Sequence, residues 1–219
     1  MHYLVLGATG ALGQNICREA LSMGHIITAL VRTPSKFAQD ISNHKSLILK
    51  TGDVLDITVV SSLFSGTTFD AVLIALGGGG IMARDYVRSI GTRNVIQAME
   101  DKGIYTSVNT LGGPRLIICS TMGASESKEW IPSFIYWMLK HPIADTDEQE
   151  KLVKTSKIPY VIARPTGLTN QPKDGNVRET YPGPVPTNTV TRCDVANWML
   201  KQVESNLNLG KAIGLCKPA

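Results

Sequence analysis

The amino-acid sequence predicts an α/β fold built on a doubly wound parallel sheet. Short apolar segments alternate with amphipathic helical segments along the whole chain of 219 residues, which is the pattern of βαβ units. The apolar segments are nearly continuous in hydrophobic character, as parallel strands covered by helices on both faces require. Because the crossover connections between parallel strands are right-handed, successive strands should lie in one sheet. We expect a single domain over residues 1–219, since the length suits one core.

Seven strands and three helices are predicted. The strands cover residues 3–6, 26–31, 47–49, 71–76, 116–119, 160–163 and 212–216. One helix follows the first strand and ends at Gly24, and the other two cover about residues 85–102 and 191–205. The segment 171–188, rich in proline, glycine and polar residues, is predicted as the one long loop. We expect segments 122–144 and 171–190 to cover a substrate.

Composition is that of an ordinary folded protein. Apolar residues make up 43% and charged residues 18% of the chain, with a net charge of +4. This mild basic balance, without a block of like charges, does not indicate nucleic-acid binding, and no apolar run reaches the roughly 18 residues of a membrane span. The four cysteines show no disulfide or zinc spacing, so no metal is expected. We expect a cytoplasmic protein without a signal peptide, because the first strand starts almost at the first residue.

The segment after the first strand has the pattern of a nucleotide-binding turn. It reads Gly7-Ala8-Thr9-Gly10-Ala11-Leu12-Gly13. Gly7 allows a sharp turn, Gly10 lets the backbone approach a pyrophosphate, and Gly13 lets the helix pack on the sheet. The phosphates would meet free N–H groups at the helix N-terminus. A flexible turn is the alternative, but a strand and a helix flank the glycines as expected, so we predict a Rossmann-type dinucleotide site.

The end of the second strand predicts which dinucleotide is bound. A site that prefers NAD usually has Asp or Glu there to accept from the ribose 2′-OH, and the segment 30–36 has no acid. Arg32 can stack on the adenine and bind a 2′-phosphate, with Thr33 or Ser35 donating and Lys36 adding charge. The alternative is that both basic side chains are only solvated. The position favours NADP(H).

Two further turns should complete this pocket. Asp53 and Val54 follow the third strand, where a carboxylate can accept from the adenine amino group and a neighbouring N–H can reach a ring nitrogen. Leu76, Gly77 and Gly78 come at the end of the fourth strand, and Gly77 begins a run of four glycines. A run without side chains can lie flat against the ribose of the cofactor.

These segments together resemble the short-chain dehydrogenase/reductase superfamily, in its atypical NAD(P)H-binding branch. That branch includes NmrA-like proteins and the flavin and biliverdin-IXβ reductases. The residues that carry the resemblance are the glycine turn, Val31-Arg32, Gly52-Asp53, Gly91-Thr92-Arg93-Asn94-Val95-Ile96, Cys119-Ser120, Glu150-Lys151-Leu152 and Ala163-Arg164-Pro165-Thr166. The resemblance implies a Rossmann fold, bound NADP(H) and a small-molecule substrate over the nicotinamide. It adds Ser120, Thr121, Pro165 and Thr166 to the expected cofactor contacts.

The usual catalysts of that superfamily are a serine after the fifth strand and a Tyr-x-x-x-Lys dyad on the next helix. The lysine lowers the tyrosine pKa so that the tyrosine can pass a proton. Ser120, or Thr121, fills the first position. Tyr136 and Lys140 have the spacing of this dyad, and counting back from Pro165 by the usual interval lands close to Tyr136. Ser120, Tyr136 and Lys140 are therefore the candidate catalytic residues.

A second register competes with this one. Anchoring on Glu150-x-Leu152 places Pro142 and Thr146 at the dyad positions, and neither can transfer a proton. We prefer this register, because Pro142 would break a helix running from residue 136 toward 156. The dyad residues would then belong to an aromatic segment that lines a pocket or packs on the domain: Trp130, Phe134, Tyr136 and Trp137. The acidic residues that follow are expected in the first turn of a helix rather than in catalysis: Asp145, Asp147, Glu148 and Glu150.

Three functions are compatible with these observations. The first is an NADP(H)-dependent oxidoreductase acting on a small hydrophobic carbonyl or conjugated substrate, with water as an acceptable proton source. The second is a non-redox isomerase, dehydratase or cyclase that retains NADP(H). The third is an NADP(H)-sensing regulator resembling NmrA, for which the chain is short. We prefer the first, in a monomer or homodimer without a nucleic-acid or membrane partner.

Overall fold

The computed structural model describes residues 1–77, 85–104, 113–185 and 189–218, and strands form the centre of this described part. In chain order they are β1 (His2–Leu6), β2 (Ile26–Val31), β3 (Leu47–Thr51), β4 (Ala71–Ile74), β5 (Arg115–Cys119), β6 (Tyr160–Pro165), β7 (Gly167–Thr169), β8 (Arg178–Thr180), β9 (Thr189–Thr191) and β10 (Ala212–Cys216).

Within the described ranges, eight of these strands form one sheet. Their order is β3-β2-β1-β4-β5-β6-β10-β8, and β7 pairs separately with β9. Neighbours from β3 to β10 are parallel, and β8 runs antiparallel to β10. The strand order reverses between β1 and β4, so the turns that follow these two strands diverge and leave a crevice at the carboxyl edge of the sheet.

Helices cover both faces of the sheet. They are α1 (Ala11–Ser22), α2 (Ile57–Leu63), α3 (Val87–Asp101), α4 (Ser133–Met138), α5 (Lys140–Thr155) and α6 (Arg192–Glu204). α1 and α6 pack together on one face, where Tyr3 and Val5 of β1 contribute to the core. α2, α3 and α5 pack on the other, with Leu4 and Leu6 of the same strand. Alternate residues of a strand thus enter two apolar layers, which explains why the strands are apolar throughout.

The predicted fold class is confirmed, because all seven predicted strands and the three predicted helices are present. The strand predicted over 71–76 ends at Ile74, and the chain then turns toward the crevice. α2 was not predicted, although its start has a clear local signal. The carboxylate of Asp56 accepts hydrogen bonds from the N–H groups of Thr58 and Val59 and so caps the helix.

Part of the segment predicted as a long loop is a strand, so that prediction is wrong for residues 178–180. β8 consists of Arg, Glu and Thr, which gives no apolar alternation to detect. It pairs with β10, whose edge would otherwise be open. The indole N–H of Trp198 donates to Glu179 at 2.7 Å and holds the strand against α6.

The chain from 133 to 155 forms two helices that meet at Leu139. Pro142 is the third residue of α5, where an N–H would have no intrahelical partner, so proline is tolerated. The expected break is therefore present, but it lies before the proline. The prediction that the acidic residues form a first turn is wrong. Asp145 and Glu150 lie inside α5 and are buried.

None of the helices in the described ranges is long and apolar enough to cross a membrane. In the same part of the chain, no three His, Cys, Asp or Glu side chains come together as a metal site would require. The four cysteines are free thiols.

Candidate dinucleotide and substrate site

One cavity of about 810 Å³ opens at the carboxyl edge of the sheet. Its walls come from the turns after β1 to β6 and from α4 and α5. This edge, beside the reversal of strand order, is where ligands bind in open α/β sheets. Among the described residues that line it there is no Asp or Glu, and the charged side chains are Arg32, Arg88 and Arg192.

The glycine-rich turn after β1 has the geometry that the sequence predicts. Gly7 is left-handed at φ +78°, and a Cβ there would lie 2.2 Å from the carbonyl oxygen of Ala75. Gly13 does not line the cavity. A Cβ on it would lie 2.2 Å from the carbonyl oxygen of Gly7, so this glycine lets α1 pack against the turn. The other members of the turn line the cavity with Gly7: Thr9, Gly10, Ala11 and Leu12.

The N-terminus of α1 is suited to a phosphate group. Gly10 is the N-cap and offers no side chain to the helix, and the first turn contains no acidic residue. The N–H groups of Ala11, Leu12 and Gly13 have no acceptor within the helix, as at any helix start. These donors and the helix dipole together favour an anion. The residues present therefore fit a dinucleotide pyrophosphate.

The end of β2 places one of its two predicted basic contacts in the cavity. Arg32 lines the cavity and is exposed. Lys36 ends a short 3₁₀ turn, Pro34–Lys36, and lies outside the lining. The structure therefore brings Arg32, but not Lys36, to the predicted adenosine end of the site.

The turn after β3 is tied to the neighbouring helix. Gly52 and Val54 line the cavity, whereas Asp53 does not. The carboxylate of Asp53 accepts from the N–H of Leu55 at 3.0 Å and so closes its own turn. The side-chain amide of Asn94 donates to the carbonyl oxygen of Val54 at 2.9 Å. Val54 thus lines the cavity, while Asp53 has a local structural partner instead of an open position.

The turn after β4 contributes Leu76 and Gly77 to the cavity. Gly78, also predicted to contact the cofactor, lies outside the described residues. A Cβ on Gly91 of α3 would lie 2.7 Å from Leu76 Cδ1 and 3.0 Å from Val54 Cγ2. The absence of a side chain at Gly91 therefore lets α3 pack closely on two of the turns that form the site.

Ser120, at the end of β5, lies between the cavity and a buried charge cluster. Its hydroxyl donates to Glu150 Oε1 at 2.5 Å. Arg164 donates to the same carboxylate through Nε at 2.8 Å and Nη2 at 2.5 Å. Glu150 is 0% and Arg164 1% exposed, so neither charge is solvated. Ser125 and Lys154 donate to the second carboxylate oxygen and complete its shell.

The charge cluster keeps Glu150 ionised. Burial alone raises the pKa of Glu150, but the hydrogen bonds and charge of Arg164 outweigh it, with help from Ser120 and Lys154, and the pKa is lowered. On its outer side Arg164 donates two hydrogen bonds to Glu126, and these bonds lower the pKa of Glu126 to about 2. Since an ionised carboxylate only accepts, the Ser120 hydroxyl must donate to it. Sequence reasoning missed this cluster, although Glu150 and Arg164 both belong to the segments that carried the resemblance.

Beyond Ser120 the cavity becomes apolar. This chamber is lined by Met122, Trp130, Ile131, Ile135, Leu139 and Ile143. The predicted aromatic wall is mostly wrong, because Trp130 is its one member in the lining and Phe134 and Trp137 are each 71% exposed. α4 is oriented so that Ile135 faces the chamber, whereas Phe134 and Trp137 face outward.

The structure does not bring Tyr136 and Lys140 together at the cavity, and neither lines it. They lie on different helices, because α4 ends before Leu139 and α5 begins after it. The ammonium group of Lys128 lies 4.3 Å from the ring centre of Tyr136. That of Lys140 lies 5.5 Å from the ring centre of Trp137. This placement corrects the prediction of a dyad at these two positions.

The competing register is the one that faces the cavity. Pro142 and Thr146 of α5 both line it. The hydroxyl of Thr146 donates to the carbonyl oxygen of Pro142 at 2.8 Å. The cavity wall therefore carries a proline and an engaged threonine at the two positions that the second register assigns to the dyad.

The remaining predicted contacts close the cavity beside β5 and β6. Thr121, Pro165 and Thr166 line it. Thr121 donates to the carbonyl oxygen of Met122 at 3.3 Å, and Thr166 donates to that of Leu215 at 3.2 Å. Val185 is the described residue of the second covering segment that reaches the lining. The first covering segment supplies most of the chamber.

This fold and this site define an NAD(P)-binding Rossmann protein. More particularly, the chain belongs to the NAD(P)H-binding family, whose model matches residues 7–206. The match begins in the glycine turn and ends just beyond α6. The predicted membership in an NAD(P)H-binding branch is thereby confirmed.

Two curated relatives are similar over much of the chain. Reductase pytE of Aspergillus terreus is 27% identical over 256 residues, covering 94% of each chain. The uncharacterized chloroplastic protein At2g34460 of Arabidopsis thaliana is 29% identical over 180 residues, covering 79% of this chain. The chain spans 61% of the length of that Arabidopsis relative.

Solved structures show the same fold. ChuY, an anaerobillin reductase from Escherichia coli O157:H7, superimposes with a TM-score of 0.83 at 22% identity, covering 100% of this chain and 98% of that one. A short-chain dehydrogenase/reductase from Veillonella parvula in complex with NADP gives a TM-score of 0.79 at 17% identity, covering 100% and 95%. At these identities the likeness concerns the fold.

Proposed function

We propose that this protein is an NADP(H)-dependent oxidoreductase that reduces a small hydrophobic carbonyl or conjugated substrate. One observation carries the proposal. The same cavity extends from the glycine turn and Arg32, past Ser120, to the apolar chamber around Ile135. Hydride transfer needs cofactor and acceptor in contact, so a reductase requires such a continuous space. A protein that only senses the cofactor has no need of the chamber.

The preference for NADP(H) rests on the end of β2. Arg32 lines the cavity and is exposed, and no Asp or Glu is found in the described lining. A guanidinium group there supplies two hydrogen bonds and a charge to a 2′-phosphate. NAD(H) would gain neither, and it would find no carboxylate for its 2′-hydroxyl.

The chain positions the cofactor mainly through its backbone. When bound, NADPH supplies the hydride. The N–H groups at the start of α1 would hold the pyrophosphate, and Gly10 removes any side chain from the approach. A Cβ on Gly77 would meet no atom within 4 Å, so this turn leaves space for the ribose. Pro165 and Thr166 would flank the nicotinamide beside Ser120.

The proton in this proposal comes from water. Ser120 donates its hydroxyl hydrogen to ionised Glu150, and Thr146 donates to a backbone carbonyl. Both hydroxyl oxygens can still accept a hydrogen bond from a ligand. A conjugated acceptor suits this arrangement, because its reduced form delocalises negative charge until water protonates it. The overall reaction consumes NADPH, a proton and the acceptor, and yields NADP⁺ and the reduced acceptor.

Turnover of NADPH tests the proposal. Purified protein is mixed with NADPH and, in turn, with flavin mononucleotide, menadione, phenanthrenequinone and aromatic ketones, and the loss of NADPH absorbance is followed. Oxidation that depends on protein and acceptor supports the reductase. Tight NADPH binding without oxidation by any acceptor would contradict it and favour the non-redox enzyme or the sensor.

A pair of variants on α4 ties the activity to the chamber. Ile135→Trp places a large side chain in the chamber, whereas Phe134→Trp changes a residue that is 71% exposed. We expect Ile135→Trp to lose most acceptor reduction while it binds NADPH as wild type does, and Phe134→Trp to keep both properties. Equal activity in the two variants would show that the acceptor lies elsewhere.

A further inference from the structure

Two arginines enter the cavity from opposite faces of the sheet. Arg88 is the second residue of α3, and Arg192 is the first residue of α6. These helices cover different faces, since α6 packs with α1 and α3 packs with α2 and α5. Both residues line the cavity. The two arginines therefore reach the same space from its two sides.

The described residues that line the cavity offer these charges no carboxylate. No Asp or Glu is found among the described lining residues, and Arg32 at the far end is the third charge. A charge that is partly removed from water costs free energy unless an opposite charge or several hydrogen bonds compensate it. A cavity whose described lining carries positive charges and no Asp or Glu therefore favours an anionic occupant.

The acidic partner of Arg88 is Asp145, whose carboxylate is largely occupied by other donors. Arg88 Nη1 lies 3.6 Å from Asp145 Oδ2, which is beyond hydrogen-bond distance, and the Arg88 side chain is 20% exposed. Asp145 is already engaged, because it accepts from the N–H groups of Arg88 and Ser89 and from the Ser89 hydroxyl. This carboxylate caps α3 and leaves much of the guanidinium free to bind a ligand.

Arg192 has a neutral partner. Its Nη1 donates to the side-chain carbonyl of Asn170 at 2.8 Å. An amide orients the guanidinium without neutralising its charge. Within the described ranges Arg192 forms no ion pair, so its charge is available to an anion in the cavity.

Both charges act near the end of β5. Burial raises the pKa of the Cys119 thiol to about 12, and the charges of Arg88 and Arg192 oppose that rise. Cys119 precedes Ser120, where the cavity passes from its dinucleotide end to the apolar chamber. Arg88 and Arg192 are thus placed near this junction, whereas Arg32 follows β2 at the dinucleotide end.

We propose that Arg88 and Arg192 bind a carboxylate of the substrate, so that the substrate is an apolar carbonyl or conjugated molecule that also carries an acidic group. That the bound anion is a substrate rests on the proposed reductase function. The presence of an anion site is a separate claim that does not depend on it. The cofactor pyrophosphate is the other source of negative charge in the same cavity. The experiment distinguishes these two sources.

Binding of a matched acid and ester tests the site without turnover. Protein saturated with NADP⁺ is titrated with 4-formylbenzoate and with its methyl ester, by calorimetry and by quenching of tryptophan fluorescence, since Trp130 lines the cavity. We expect the acid to bind about tenfold more tightly than the ester. In Arg88→Gln and Arg192→Gln this preference should fall to about twofold or less, with ester binding unchanged.

Conservative and remote variants serve as controls. Arg88→Lys and Arg192→Lys keep the charge and should keep part of the preference for the acid. Arg93→Gln on α3 and Lys201→Gln on α6 remove exposed charges outside the cavity and should keep all of it. Thermal unfolding and circular dichroism are compared with wild type. If Arg88→Gln does not fold, Arg88→Lys and the two Arg192 variants decide.

Three outcomes separate the claims. Equal affinity for acid and ester in wild type, including no binding of either, overturns the anion site. A loss of about tenfold or more in NADP⁺ affinity in Arg192→Gln, with the acid preference intact, assigns Arg192 to the cofactor phosphates and overturns its assignment to the substrate. A preference for the acid without NADPH oxidation by any acceptor supports the anion site and contradicts only the proposed reductase.

Discussion

The hydroxyl of Ser120 donates a 2.5 Å hydrogen bond to the buried carboxylate of Glu150. Arg164 holds that carboxylate from the other side through two hydrogen bonds. The serine at the position that the superfamily uses for catalysis is therefore committed to an internal ion pair. This relationship separates the present site from one in which serine donates to the substrate, and it sets the expectations for activity.

Replacement of Ser120 should have a small effect on turnover. A general acid contributes about a hundredfold or more to the rate, whereas an already engaged hydroxyl contributes mainly position. We expect Ser120→Ala to lower kcat by less than about tenfold and the free energy of unfolding by about 1–2 kcal/mol. Steady-state NADPH oxidation and urea unfolding measure the two effects. A loss of about a thousandfold in kcat would show that the hydroxyl takes part in proton transfer.

Removal of the literal dyad should leave activity almost unchanged. Tyr136 and Lys140 lie outside the cavity on separate helices. We expect Tyr136→Phe and Lys140→Gln to keep kcat within about twofold of wild type, since they touch neither cofactor nor acceptor. If either variant lost nearly all activity while remaining folded, α4 would have to reorient in the working enzyme.

A glycine pair separates steric conflict from backbone strain in the cofactor turn. Gly7 and Gly24 have similar left-handed backbones, with φ +78° and +82°, but a Cβ would meet Ala75 O at 2.2 Å in the first and nothing within 4 Å in the second. Gly24→Ala should cost about 1–2 kcal/mol of unfolding free energy from strain alone. Gly7→Ala should cost more and should also weaken NADPH binding. Equal stability losses and unchanged NADPH affinity would contradict the close approach of the turn after β1 to the turn after β4.

Acid should destabilise the protein through the cluster around Arg164. Hydrogen bonding to Arg164 lowers the pKa of Glu126 from 4.5 to about 2, and Arg164 also holds that of Glu150 below its ordinary value. A carboxyl group with a lowered folded-state pKa contributes stability above its unfolded-state pKa. That contribution is lost as the pH falls from about 4.5 toward 2.

Urea unfolding at a series of acidic pH values measures this loss. Glu126→Gln removes one of the titrating groups and should flatten the dependence of the unfolding free energy on pH. Glu148→Gln removes an exposed carboxylate that lies 3.8 Å from Arg93 and should leave the slope unchanged. The same slope in wild type and Glu126→Gln would contradict the assigned cause.

The parts of the fold and site that depend on the backbone were predictable from the sequence. Continuous apolar character gives the buried parallel strands, and glycine spacing gives the turn after β1, because these signals are local. β8 was missed because Arg178, Glu179 and Thr180 form a strand only through pairing with β10. Its signal lies in a partner far away in the chain.

Side-chain direction was the part that the sequence could not supply. The spacing of Tyr136 and Lys140 is that of a dyad, but a helix break at Leu139 separates them. Glu150 was predicted in the first turn of a helix, yet α5 begins ten residues earlier, at Lys140, and Glu150 is buried. One helix boundary thus decides both the loss of the dyad and the charge cluster below Ser120.

Titration of NADPH and NADH against wild type and Arg32→Glu, followed by cofactor fluorescence, tests most directly that the cavity is an NADP(H) site. We expect wild type to bind NADPH more tightly than NADH, because the proposed site pairs Arg32 with the 2′-phosphate. Arg32→Glu should lose NADPH affinity by about a hundredfold and NADH affinity far less. Equal losses for both cofactors, or no binding of NADPH by wild type, would contradict the account.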